Sequence, residues 1–415
     1  MASDPDRPPV LLCDATWYGT LAAARNLGAH GVPVTLASDT LLAPARWSRH
    51  VTRTVPAPSP KHAGPFVEWL LRFGAAGPPH VFYPTSDEVA WLLAAHAKEL
   101  SPFFRLYSPP LETLVRLLDK KLLIEAARGA GLDVPETRIA RDESEVEACG
   151  RELGFPLYVK PRAQVLGVGA GKGVRVEEPG KLVSAWRNVR AVEFDREVRE
   201  RLPDLALPLI QACSKNFEHV YTVDGFIDET GELYVSMACL KVLQRPRGSG
   251  PGIIFEHAEL DPALDHALQR LFRATGFYGV FDAEFIEAPQ GRVLIDVNPR
   301  FYNHMAFEID RGMHLPWLAY LAAIGDEREL RREIRVGPAH RSENRLYVHR
   351  LGTSLLFAVQ SLSGRLSRDE RQGWQRLIAQ HAGAITDPAA TRDDLAPGLI
   401  DLAFETKSLL RHPRA

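Results

Sequence analysis

Over the first hundred residues, short apolar runs alternate with stretches of helical spacing. That alternation limits the fold more than any other feature of the chain. Residues 9–13, 32–36 and 81–83 read as strands. Residues 16–30 carry Ala and Leu at helical spacing and stop at His30-Gly31. Residues 66–73 and 88–100 read as further helices, the second capped by a Thr, Ser or Asp of the run Pro84-Thr85-Ser86-Asp87. Between them, residues 56–65 hold four prolines and read as a loop. Strand–helix–strand order of this kind closes as a parallel sheet with helices on both faces.

The pattern then changes. Residues 113–130 read as a helix closed by Gly131, and Val134-Pro135 breaks the chain again. Residues 156–160 form a strand that enters a loop, 164–173, with four glycines, and 174–177 is the return strand. A charged helical region spans 181–201. Strands at 209–212, 220–227, 233–243, 283–286 and 292–297, with a helix at 262–275, read as an antiparallel α+β module. After Leu315 the chain reads as helical and Arg-rich to its end.

Composition removes several function classes. Lys+Arg number 50 and Asp+Glu 52, a net charge of −2, so a basic coat for nucleic acid is absent. Cys13, Cys149, Cys213 and Cys239 are widely spread and suggest neither a zinc site nor a disulfide framework. The polar, acidic start is no signal peptide, and no apolar run reaches the roughly 18 residues of a membrane helix. The expectation is a soluble cytoplasmic protein acting on small molecules, with no nucleic-acid or membrane partner.

The strongest chemical signal is Phe281-Asp282-Ala283-Glu284-Phe285-Ile286 followed by Leu294-Ile295-Asp296-Val297-Asn298-Pro299-Arg300. Glu284 and Asp296 lie 12 positions apart across a Gln290-Gly291 turn, which can put both carboxylates on one face of a hairpin. Asp296 and Asn298 share a face, and three convergent oxygen ligands suit Mg²⁺ with positions open for phosphate. Arg300 adds a fixed positive charge. The same residues alone also suit a hairpin with a solvated polar face. The second signal is Lys160, at the end of an apolar strand and entering the glycine loop. A lysine there is costly to bury without an anion, and the loop can present N–H groups to phosphates. The alternative is a flexible surface loop. A third piece, Leu118-Asp119-Lys120-Lys121, reads by itself as a solvated charged turn.

Lys120, Lys160 with its glycine loop, Leu209-Ile210-Gln211-Ala212, Glu218, Glu284 and Asp296-x-Asn298-x-Arg300 follow one another in an order that resembles the ATP-grasp superfamily. The likeness covers about residues 8–325 and is nearest to the carboxylate–amine ligase branch that includes D-aspartate ligase. Phe82-Tyr83-Pro84-Thr85-Ser86-Asp87-Glu88 and Gly131-Leu132-Asp133-Val134-Pro135 look like that branch too. The resemblance implies an ATP-grasp fold of mixed α/β and α+β class. Its parts would be a pre-ATP-grasp parallel-sheet domain (1–112), a small subdomain with the glycine loop (113–208), a large subdomain with the metal site (209–330) and a helical C-terminal extension (331–415).

The resemblance also implies roles. Lys120 and Lys160 hold ATP phosphates, and Gly167, Gly169 and Gly171 close over them. Gln211, Ala212 and Ser214 form the adenine hinge, Gln211 standing where Glu is frequent, and Glu218 bonds the ribose. Glu284, Asp296 and Asn298 bind two Mg²⁺, in a site that also suits Mn²⁺, Asp296 standing where many members have Glu. Asp282 stands where some relatives carry an Arg, and Arg245 and Arg247 could replace it; by themselves they also read as a solvated basic loop. The implied reaction activates a small-molecule carboxylate as an acyl phosphate, releases ADP and joins the acyl group to an amine. Arg300, Lys160 and His304 are the catalytic candidates, with the 301–304 run lining the substrate pocket. His304 equally suits a plain backbone bond. Tyr18-Gly19, Thr85, Ser86 and Asp87 are weaker pocket candidates. Carbamoyl-phosphate or biotin-carboxylating chemistry on bicarbonate and a non-catalytic ATP-binding protein are the alternatives; a homodimer is frequent in the superfamily.

Overall fold

The computed structural model describes residues 7–168, 173–213, 219–246, 250–288, 291–337 and 344–411. The N-terminal sheet is parallel: β1 (Val10–Leu12), β2 (Val34–Ser38), β3 (Arg53–Pro56), β4 (His80–Phe82) and β5 (Phe104–Leu106) lie in the order β3-β2-β1-β4-β5. Helices α1 (Tyr18–Ala29), α2 (Ala63–Ala75), α3 (Asp87–Ala95) and α4 (Ala97–Leu100) connect them. Strand order reverses beside β1, and a ligand crevice forms above the carboxyl ends of strands at such a point. The proline-rich 56–65 is not all loop. Pro56 closes β3, and Pro65 lies in the first turn of α2, where an N–H has no helical partner in any case. Ser86 caps α3 by accepting from the Val89 N–H.

Helices α5 (Leu111–Leu118) and α6 (Lys120–Gly129) replace the single helix expected over 113–130. Asp119 breaks it. This residue is extended, accepts from the Lys121 N–H at 2.9 Å and pairs with Arg162. The next part holds β6 (Thr137–Ile139), α7 (Glu143–Leu153), β7 (Leu157–Lys160), β8 (Gly167–Val168), β9 (Val174–Val176), α8 (Leu182–Arg190), β10 (Glu193–Phe194), α9 (Arg196–Arg201) and β11 (Leu209–Ala212). Its antiparallel sheet has the order β6-β11-β7-β9, so β7 and β9 are the two legs around the glycine loop. The region 181–201 is not one helical stretch, because β10 divides it and pairs with β8.

The large sheet runs β16-β15-β12-β13-β14-β17-β18. Its strands are β12 (Val220–Ile227), β13 (Tyr234–Gln244), β14 (Gly252–Ala258), β15 (Gly279–Ala288), β16 (Gly291–Asn298), β17 (Leu346–Val348) and β18 (Ile385–Thr386). Helix α10 (Pro262–Thr275) has an Asp261 cap, Pro262 in its first turn and Gly276 in the left-handed region at φ 74°. It buries Leu268, Leu271 and Phe272 in one core with Phe281 and Phe285 of the sheet. Helices α11 (Met305–Asp310), α12 (Leu315–Ile324), α13 (Glu327–Val336), α14 (Arg350–Leu362), α15 (Arg368–Gln380) and α16 (Ala396–Arg411) complete the chain. The tail is mainly helical, as expected, but β17 and β18 add it to the edge of the large sheet. Gly19 fixes the N-terminal module against the hairpin end: a Cβ there would lie 2.3 Å from the Tyr302 carbonyl oxygen. No helix among the described residues is long and apolar enough to cross a membrane.

Candidate active site

The site is built on the β15–β16 hairpin. Register pairs Glu284 with Asp296 and Asp282 with Asn298, so these side chains share one face of the sheet. A bulge at Ile295 interrupts the ladder, and the Ile295 carbonyl accepts from Lys160 Nζ at 3.5 Å. Lysines arrive from three other elements. Lys120, first residue of α6, pairs with Asp296 at 2.5 Å. Lys241 of β13 pairs with Glu284 at 2.5 Å, across the intervening β12. Lys160 ends β7 and is buried. Its burial, and then the neighbouring Lys120, push its pKa down to about 7, while Asp296 and Glu284 act in the other direction. Burial also works against the Lys241 charge, but Glu284 and Asp282 outweigh it and hold that pKa above the ordinary lysine value.

Asp119 orders this arrangement from below. Arg162 Nε donates to its carboxylate at 3.0 Å, and the Lys120 N–H donates to the Arg162 carbonyl at 2.8 Å. The buried pair therefore locks the start of α6 to the segment after β7, and so places Lys120 beside Lys160.

Arg300 joins the hairpin to the N-terminal module. Its Nε donates to Asp87 at 2.6 Å and its Nη2 to the Asn298 side-chain oxygen at 2.9 Å. Its guanidinium lies 5.2 Å from the Trp17 ring. Asn298 in turn donates to Asp282 at 3.0 Å. Two carboxylates and an amide oxygen in register make a hard oxygen set, and that chemistry fits Mg²⁺.

His304 was expected beside the substrate. The structure instead buries its ring against Phe255, with centroids 4.1 Å apart, and turns Nε2 toward Asp224 at 3.2 Å. Burial holds its pKa below the ordinary histidine value. Phe301 and Tyr302 are buried as well, so these three do not line an open pocket. The Gln211 side chain is turned aside to donate to Thr137 at 2.9 Å, and the Ala212 N–H donates to the Glu136 backbone carbonyl at 2.8 Å, so Ala212 would meet a base through its carbonyl. Gly167 lies in β8. Gly169, Gly171, Ser214, Glu218 and Arg247 lie outside the described residues. Arg245 pairs with Glu405 of α16 at 2.6 Å. Sequence reasoning missed Lys241, whose one signal is a lone lysine inside the apolar run Val235–Leu243.

No family model matches the chain. The chain is similar to the carbamoyl phosphate synthase large chain of Archaeoglobus fulgidus, 26% identical over 200 residues, which is 40% of this chain and 18% of that protein. It is also similar to D-alanine–D-alanine ligase B of Chromobacterium violaceum, 34% identical over 71 residues, 17% of this chain and 22% of that protein. The chain thus spans about a fifth of the length of these curated relatives. Among solved structures, a biotin carboxylase–β,γ-ATP complex from Campylobacter jejuni superposes with a TM-score of 0.60 at 15% identity, over 76% of this chain and 70% of that one. With the sheets, hairpin and lysines in this arrangement, the chain has the ATP-grasp fold.

Proposed function

We propose that the chain is an ATP-dependent ligase. It activates a small-molecule carboxylate as an acyl phosphate and joins it to an amine, releasing ADP and phosphate. The observation that carries this is the convergence of Lys120, Lys160 and Lys241 on the in-register carboxylates Glu284 and Asp296. Such a site favours a polyphosphate with its charge spread over the transferring group. Likeness to a D-alanine–D-alanine ligase supports the amide product.

In this reading a substrate carboxylate oxygen attacks the γ-phosphorus and the bond to the β–γ bridging oxygen breaks. The amine nitrogen then attacks the acyl carbon, and phosphate leaves. Lys160 and Lys120 hold the phosphates, the Ala212 carbonyl meets the adenine, and Arg300 holds the acyl phosphate. Glu284, Asp296 and Asn298 would hold Mg²⁺, two ions in the full site, which would neutralise charge on the transferring phosphoryl group. A second reading has bicarbonate as the acid, and likeness to a carbamoyl phosphate synthase and a biotin carboxylase favours it.

The test is nucleotide product analysis with Mg²⁺-ATP, pooled carboxylates and amines, and bicarbonate in a separate arm. Substrate-dependent ADP and phosphate are expected, and Lys160→Met lowers that rate by about 10²–10³. AMP and pyrophosphate would overturn the acyl-phosphate route. ADP release that needs bicarbonate and ignores the carboxylate pool selects the second reading.

A further inference from the structure

At the carboxyl edge of the N-terminal sheet, the segments after β1, β2 and β3 enclose a cleft of about 430 Å³. One wall comes from the far end of the chain, where Phe404 and Lys407 of α16 line it. That helix is seated by a buried polar cluster. Tyr18 Oη donates to Asp401 at 2.6 Å and to Glu405 at 3.2 Å. His349 Nε2 faces the other Asp401 oxygen at 2.9 Å, and Arg245 pairs with Glu405 at 2.6 Å. Asp401 and Glu405 are 1% and 7% exposed. Buried carboxylates are tolerated only with such partners, so the cluster specifies where α16 sits.

Asp14 forms the inner wall. It follows β1 in the left-handed region, at φ 51°, where few residues other than glycine are found. Thr85 Oγ1 donates to its carboxylate at 2.9 Å. Burial holds the Asp14 carboxyl above its ordinary range, while the bonds from Ser86 and Thr85 and then the charges of Arg300 and Lys61 act in the opposite sense. Trp17, also on this wall, has the Arg300 guanidinium 5.2 Å from its ring. The cleft therefore backs onto the arginine assigned to the acyl phosphate. Charges of both signs line it: Asp14 within, Asp39 and Lys61 on the segments after β2 and β3, and Lys407 on the covering helix.

We propose that this cleft seats the amine substrate, that Asp14 receives its ammonium group, and that Lys407 on the C-terminal helix reads an anionic group on the same molecule. The guest is then an amine that also carries a negative charge. An amine held at Asp14 would stand beside Arg300. Part of the specificity of the site would come from a helix beyond residue 325, outside the stretch that resembles the superfamily. The proposal rests on the ligase reading for calling the guest the amine substrate; the cleft and its charges do not depend on it.

The test is calorimetric binding to the full chain without ATP. The probes are the twenty standard amino acids, β-alanine and 4-aminobutanoate, each against the amine that lacks its carboxylate. At least one amino acid should bind about tenfold or more tighter than its matched amine, the margin of one charge-assisted contact. Lys407→Glu should remove that preference, and Asp14→Asn should weaken acid and amine alike. Both variants should keep the wild-type melting temperature, because Lys407 is exposed and Asn adopts the left-handed conformation as Asp does. No preference in the panel, or one that survives Lys407→Glu, overturns the proposal. Steady-state ADP release separates the two readings. Amino-acid binding without ADP formation sinks the ligase and leaves the cleft. ADP formation with an amine KM that ignores both variants sinks the cleft and leaves the ligase.

Discussion

Lys160 gathers the physics of the site into one residue. Its burial and Lys120 together bring its pKa to about 7, so at pH 8 most of the nucleotide-free protein carries it neutral. A polyphosphate beside it stabilises the ammonium form and raises that pKa. A group whose pKa rises on binding takes up a proton at any pH between the two values. Metal-free ATP binding at pH 8 should therefore take up close to one proton per site. Calorimetry in two buffers of different ionisation enthalpy reads this directly, and Lys160→Met should remove the difference between them. Equal heats for the wild type would count against the assignment. Lys160, Glu284 and Asp296 stood out in the sequence because each puts a charge in an otherwise apolar strand, whereas Lys120 stood out only through its place in the ordered motif set. Lys241 was not. Its partner Glu284 is two strands away in the large sheet, and no spacing along the chain encodes that pairing.

Helices α5 and α6 show why a charged residue can matter more for a boundary than for a surface. Residues 113–130 have continuous helical spacing, yet Asp119 is wholly buried and splits them. Its carboxylate serves two partners, the Lys121 N–H and Arg162. Asp119→Ala removes both and leaves the Arg162 guanidinium buried without its counter-charge, a loss of about 3–5 kcal/mol. Asp119→Asn keeps the cap, since Asn caps as well as Asp, so it should recover about 1 kcal/mol of that loss. Urea unfolding of the two variants checks the order, and equal midpoints would sink the capping role. Elements with local punctuation were read well: α10 has Asp261-Pro262 before it and Gly276 after it, and β12 follows its apolar run from end to end. β14 was missed although Gly252–Ala258 holds its own apolar run, and β17 was read as helix. β17 is three residues long and exists because β14 offers it an edge, which is tertiary information.

The chain closes on itself, and its last quarter is fastened to its first. Beside the cluster around Asp401, Asp394 makes a second fastening to the N-terminal module. It accepts from Arg25 Nε at 2.9 Å, Ser48 Oγ at 2.6 Å and the Arg49 N–H at 2.9 Å. These partners lie more than 340 positions away in sequence, so composition and periodicity showed a helical tail and nothing of what it holds. Burial raises the Asp394 pKa, but the bonds from Ser48, Arg49 and Arg25 outweigh it and leave the carboxyl below its ordinary value. A carboxyl depressed in the folded state contributes stability above its unfolded pKa, near 3.9, and loses it as pH falls through the lower folded value. Asp394→Ala should therefore cost about 3 kcal/mol at pH 7, through lost charge-assisted bonds. The gap between wild type and variant should stay constant down to about pH 4 and narrow below that. Limited proteolysis gives an independent view, because the variant should be clipped between α15 and α16 sooner than the wild type. If the variant loses less than about 1 kcal/mol, within the range of ordinary surface changes, and is clipped at the wild-type rate, Asp394 is not a fastening and the tail is held by the large sheet and the Asp401 cluster alone.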